Sequence, residues 1–151
     1  MQRDVGPGFD LEEFLRRPLV ARLATGSANG PRVRPIWYLF DDVGFWWITG
    51  RWSRLEAILE RDPQVELVVD TCDLEQGEVL QVRARGRAEL RPFDPPRAQA
   101  WGERYMGPDR RRWGRFPRTV FEEPSSRFVL LQPSWLWARD LSWDPDDSAT
   151  G

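Results

Sequence analysis

Hydrophobic and polar residues alternate most regularly from Leu80 to Leu90. Leu80, Val82, Ala84, Gly86, Ala88 and Leu90 fall on one side, and Gln81, Arg83, Arg85, Arg87 and Glu89 on the other. A period of two is that of a strand, here with a small apolar face and an arginine-bearing face that is solvated or paired with acids. Gly86, in mid-strand, predicts a bulge or a close backbone approach. Apolar or β-rich runs at Leu19–Thr25, Arg32–Phe40, Phe45–Thr49, Val65–Asp70 and Arg127–Pro133 predict further strands, and Ser134–Trp143 a possible additional one. Asp41-Asp42-Val43-Gly44 supplies turn chemistry that would make Arg32–Phe40 and Phe45–Thr49 a hairpin.

Three short helices interrupt the strands. Asp10 is placed to cap the first, with Glu13 reaching back and Phe9 packing on Phe14, and Pro18 limits it. The second is predicted to begin at Ser53, with Glu56 completing a capping box, and to stop at Asp62-Pro63. The third starts at Asp94-Pro95 and runs to Met106 before Gly107-Pro108, with Ala98, Trp101 and Tyr105 on its inner face. Five or six strands, hairpins and no alternating βαβ units predict a mainly β fold, a small antiparallel barrel with peripheral helices.

At 151 residues the chain is expected to form one domain over residues 1–143, with Asp144–Gly151 a disordered tail. No apolar run approaches the roughly 20 residues that span a bilayer, and no signal-peptide order opens the chain. With a single cysteine, Cys72, flanked by Asp70 and Asp73, a cytoplasmic location without membrane association is expected.

The basic residues narrow the chemistry further. There is no histidine and no lysine; all 22 basic residues are arginine. Triad hydrolysis, Schiff-base chemistry and the usual zinc sites are therefore disfavoured, and no metal site is expected. Arginine instead matches phosphate and carboxylate oxygens, so an anionic cofactor that performs the chemistry itself suits this inventory. The Arg110–Arg115 run interleaves arginine with tryptophan, but with a net charge of -2 it reads as a solvated or interface loop rather than a nucleic-acid contact.

Thr49, Gly50, Arg51, Ser53 and Arg54 crowd the start of the second helix. Taken alone, they fit either an anion cradle or an ordinary capped helix with solvated arginines. The order Leu19–Thr25, Arg34-Pro35-Ile36-Trp37-Tyr38, Thr49–Leu59, Arg61-Asp62-Pro63 and Gly86–Glu89 resembles the successive landmarks of the pyridoxamine 5'-phosphate oxidase-like split barrels. These bind FMN or the 8-hydroxy-5-deazaflavin coenzyme (coenzyme F-420).

The resemblance implies a six-stranded antiparallel split barrel that forms a homodimer, with cofactor between subunits. It places Arg34, Pro35, Ile36 and Trp37 along the cofactor ring, and Thr49, Arg51, Ser53 and Arg54 around the phosphate, with Gly50 among the cofactor-binding residues of that turn. Gln81 is implied to reach the ring from the partner subunit. Where the FMN oxidases read Ser-Arg-Lys, this chain reads Ser53-Arg54-Leu55, so Arg51 would stand in for the missing cation, a pattern nearer the deazaflavin branch.

The implied activity is oxidoreduction: hydride transfer between the bound cofactor and a small organic substrate, with no obligatory catalytic side chain and a proton drawn from Tyr38 or water. A non-catalytic cofactor-binding protein of the same fold and an arginine-rich nucleic-acid-binding domain are the alternatives. The loops Asp73–Glu78 and Gly107–Pro124 are expected to shape the substrate pocket.

Overall fold

The computed structural model describes residues 1–147. Eight strands form one curled sheet: β1 (Gln2–Val5), β2 (Val20–Thr25), β3 (Arg32–Trp37), β4 (Leu39–Phe40), β5 (Phe45–Thr49), β6 (Gln64–Asp70), β7 (Leu80–Pro92) and β8 (Arg127–Asp140). Their order is β3-β2-β6-β7-β8-β5-β4, antiparallel throughout, with β1 added parallel to β8. β3 also lies against β5, so the sheet curls towards closure as a split barrel. No helix among the described residues is long and apolar enough to cross a membrane.

Eight strands replace the six expected, for local reasons. The residues of β1 are all exposed and carry no alternation that would announce a strand. The expected hairpin is divided at Tyr38: only Leu39 and Phe40 pair with β5, whereas Arg32–Trp37 pair with β2. The Tyr105 hydroxyl accepts from the Tyr38 N–H at 3.0 Å and lies 3.1 Å from its carbonyl, taking that peptide out of the ladder. Arg127–Asp140 is one strand, not two.

The alternating face of β7 packs inward as its pattern requires, with Val82, Ala84 and Ala88 buried beside Leu23, Leu67, Val69 and Leu136. On the outer face Arg83 pairs with Glu66. At Gly86 the β7–β8 register shifts, and a Cβ there would meet the Gln132 carbonyl oxygen at 2.8 Å and the Ser134 nitrogen at 2.9 Å. Gly86 therefore serves both predicted ends, a bulge and a close approach.

Helix α1 (Leu11–Arg16) is capped by Asp10, whose carboxylate accepts from the Glu13 N–H at 3.1 Å, and Phe9 contacts Phe14 edge-on. At its other end the Arg104 guanidinium donates to the carbonyls of Leu15, Arg16 and Arg17, tying α3 (Pro95–Met106) to α1. Helix α2 spans Leu55–Arg61 and starts later than expected, with no side-chain bond at its cap residue Arg54. Ser53 sits in the turn before it, accepting from the Leu55 N–H at 3.1 Å instead of forming a capping box. After α3, the Trp113 ring lies on Gly102, where a Cβ would come within 2.5 Å, and its indole N–H reaches the Gly107 carbonyl at 3.0 Å. That contact anchors the segment after Gly107 against α3. Asp144–Asp147, the start of the expected disordered tail, contains a turn closed by the Asp147 N–H on the Asp144 carbonyl, and residues 148–151 lie outside the described residues.

Candidate functional site

A cavity of about 970 Å³ opens between β3, the end of β5, the turn before α2, helix α3 and residues 115–123. This is the size of a cofactor site. One wall is β3, which contributes Arg34, Pro35, Ile36 and Trp37. As the outer strand of its side of the sheet, β3 leaves these residues free of a further strand. The Trp37 ring is stacked between Tyr105 (4.7 Å between centroids, 6° between planes) and Phe116 (5.6 Å, 10°). Trp101 donates its indole N–H to the Trp37 carbonyl at 3.0 Å and, with Phe116, completes an aromatic wall.

The opposite side is built by β5 and the turn after it. Thr49 and Trp47 line the cavity, yet each is only 1% exposed as a residue. The Thr49 hydroxyl, the Trp47 indole N–H and the Arg34 Nε are buried without a hydrogen-bond partner among the described residues. Buried polar groups are rarely left unpaired, and these three belong to residues lining one space. Ser53 adds a fourth donor: its Oγ accepts from Arg34 Nη1 at 2.9 Å and from the Leu55 N–H at 3.1 Å, which leaves its own proton to give. Such a set favours a ligand rich in acceptors.

Charge in the cavity is arranged less simply. Arg34, Arg51 and Arg115 line it together with one acid, Glu123. Arg51 Nη2 lies 3.0 Å from Glu123 Oε2, while the Arg51 backbone N–H donates to Ser125 Oγ at 2.9 Å. Glu123 Oε1 accepts from the Ser125 N–H at 3.2 Å. That backbone N–H foremost, with Arg51 adding, holds the Glu123 carboxyl below its ordinary range, so it is ionised at neutral pH. Arg115 has no ion-pair partner among the described residues.

The structure thus brings Arg34, Pro35, Ile36, Trp37, Thr49, Arg51 and Ser53 to one cavity. Gly50 is buried beneath the Trp52 ring, where a Cβ would come within 2.3 Å of it, and it supports that wall rather than lining it. Arg54 is exposed at the helix start and Gln81 faces outward on β7, opposite Asp70 and Arg139; neither lines the cavity. Tyr38, read as a possible proton source, points into the core instead; burial pushes its phenol well above the ordinary value, so it is a poor acid as well as a remote one. The Asp73–Glu78 loop closes the β6–β7 hairpin and contributes nothing to the lining, whereas the segment after Gly107 contributes Arg115, Phe116, Thr119, Val120 and Glu123. Sequence reasoning expected a pocket wall from the Gly107–Pro124 loop without singling out these residues, and it missed Trp47 and Trp101. The tryptophan excess was the available signal: four of the nine line the cavity.

The family model for pyridoxamine 5'-phosphate oxidase matches residues 10–139. Among solved structures, a conserved hypothetical protein from Mycobacterium tuberculosis is similar over 93% of this chain and 89% of its own, at 23% identity and a TM-score of 0.70. HutZ, the haem storage protein from Vibrio cholerae, is similar over 88% and 93%, at 18% identity and 0.64. A coenzyme F-420 reductase is similar over 87% and 98%, at 23% identity and 0.60. At these identities the likeness establishes the fold. No curated protein matches the sequence.

Proposed function

The chain belongs to the pyridoxamine 5'-phosphate oxidase family, and we propose that its cavity holds FMN or the 8-hydroxy-5-deazaflavin coenzyme F-420 for oxidoreduction of a small organic substrate. The observation that carries this reading is the set of buried donors on Arg34, Trp47 and Thr49, unpaired among the described residues and belonging to residues that line one cavity. Both coenzymes present acceptors in kind, on a phosphate and on the carbonyls and nitrogens of a flat ring. Arg34 and the Ser53 hydroxyl are assigned to the phosphate. Pro35, Ile36 and the Trp101–Phe116 wall are assigned to shaping the ring site and excluding water.

When bound, the coenzyme supplies hydride transfer. The lining itself offers no proton donor near neutrality, because Glu123 is held ionised and the arginines keep their protons. A substrate proton therefore comes from water, and the side chains bind and orient. That shortage also supports a second reading, a coenzyme carrier without turnover. Haem storage of the kind named for the Vibrio cholerae neighbour fits less well: the chain has no histidine, and the cavity lining has no Cys, Met or Tyr to ligate iron. The same reading takes two copies of the chain per assembly, with Gln81 offered to the partner's cofactor, in the cytoplasm.

Absorbance and fluorescence titration of the purified protein with each coenzyme tests the proposal. Arg34→Ala should weaken binding roughly 10- to 150-fold, the worth of one charge-assisted hydrogen bond. Absence of binding by either coenzyme at tens of micromolar would sink it. Redox turnover with bound coenzyme then separates the enzyme from the carrier.

A further inference from the structure

We propose that Glu123 is a specificity residue that selects a coenzyme whose phosphate is a singly charged diester over one ending in a doubly charged monoester. The inference rests on the coenzyme reading above and deepens it. Arg51, which the sequence offers as the replacement for the cation absent at Leu55, is already engaged by Glu123 at 3.0 Å. The carboxylate is the fixed member of the pair. Ser125 donates its N–H to Glu123 Oε1 while Glu123 Oε2 meets Arg51, so Glu123 cannot turn away without losing a second bond, and the Arg51 backbone N–H on the Ser125 hydroxyl ties the two segments together beneath the pair. The Glu123 side chain is 14% exposed and that of Arg51 78%, so the carboxylate is the sheltered member and the one costlier to leave unpaired.

Two cations, Arg34 and Arg115, then line the cavity without an ion-pair partner among the described residues, together with one fixed negative charge. A monoester phosphate carries close to two charges above its second pKa near 6. A diester carries one. To recruit Arg51, a ligand must strip it from Glu123; to leave it in place, the ligand must lie near an ionised carboxylate. Either penalty grows with the charge on the phosphate that lies there, so it falls about twice as heavily on a monoester. FMN is a monoester and the deazaflavin coenzyme a diester, so the pair turns the site toward the second.

The test is Glu123→Gln, which keeps the shape and the acceptor for the Ser125 N–H while removing the charge. Wild type and variant are titrated at fixed ionic strength with FMN, with riboflavin, which has no phosphate, and with coenzyme F-420. The variant should bind FMN about tenfold tighter as Arg51 is released, coenzyme F-420 about threefold tighter, and riboflavin as before. Equal gains for the two coenzymes, a riboflavin gain matching that of FMN, or no gain overturns the assignment. A ring-free arm keeps the two proposals separable: inorganic phosphate at pH 8, against chloride at matched ionic strength, should raise the melting temperature of the variant more than that of wild type. If no ring compound binds but this difference is seen, charge selection by Glu123 stands and the coenzyme reading falls. If the coenzymes bind with their preference unaltered in the variant, the reverse holds. If neither is seen, both fall.

Discussion

Thr49→Val should move stability and binding in opposite directions. Thr49 ends β5, paired with Arg127 of β8, and its hydroxyl is buried at the cavity wall without a partner among the described residues. Valine keeps the branched shape and the strand preference, so the backbone has no reason to shift. An unpaired buried hydroxyl costs about 1 to 3 kcal/mol in protein interiors, and its removal should stabilise the ligand-free protein by that order. For a chain of this size each kcal/mol is worth roughly 2 to 4 °C, so the melting temperature should rise by about 2 to 12 °C. If the hydroxyl meets a coenzyme acceptor, the same substitution removes one neutral hydrogen bond of about 0.5 to 1.5 kcal/mol and weakens binding roughly 2- to 12-fold. Calorimetry of the ligand-free proteins gives the first quantity and fluorescence titration the second. Thr49→Ser, which keeps the hydroxyl and loses a methyl, is the control: it should melt lower and bind like wild type. A valine variant that melts below wild type, or that binds coenzyme equally well, would show that the hydroxyl is satisfied without a ligand and remove the main support for the site.

Two further outcomes follow from the fold and from the proposed assembly. Burial raises the Tyr38 pKa above the value near 10 it has when unfolded, so the unfolded chain releases that proton first and this residue's contribution to stability falls as pH rises above 10, by at most about 1.4 kcal/mol per pH unit; urea titrations at pH 9 and 11 should show a smaller alkaline loss for Tyr38→Phe, and an equal loss would mean the phenol is not the group responsible. The proposed two-subunit site requires a mass near twice 17.7 kDa by light scattering at micromolar concentration, and a monomer that still binds coenzyme fully would refute it.

What was legible in the sequence is what depends on near neighbours. Asp10 and Asp94 cap the helices they precede because each bond spans three residues, and the β7 alternation survives because each of its positions sees the same core face. Tyr38 shows the limit. Its residue type suits a strand, and only Tyr105, which bonds its N–H and its carbonyl, removes it from one. The start of α2 failed similarly: the Ser53–Glu56 spacing suits a capping box, but the Ser53 hydroxyl is taken by Arg34 across the cavity as well as by the next turn.

The candidate site divides along the same line. Its β3 and β5 walls lie within twenty residues of one another, and a family pattern sufficed to gather Arg34 to Trp37 with Thr49, Arg51 and Ser53. Its other wall comes from residues whose placement is set at a distance, by Trp113 on Gly102 and by Phe116 on Trp37. Counting cations there misleads, because a cation matters to a ligand only if the protein has not already spent it. Arg51 looked available from its neighbours and is held by Glu123; Arg115 looked like one of a solvated cluster and, with Arg34, lines the cavity without an ion-pair partner among the described residues. On the proposed reading, which arginine meets the anion is decided by an acid far from both β3 and β5 in the chain, and the charge of the preferred phosphate with it.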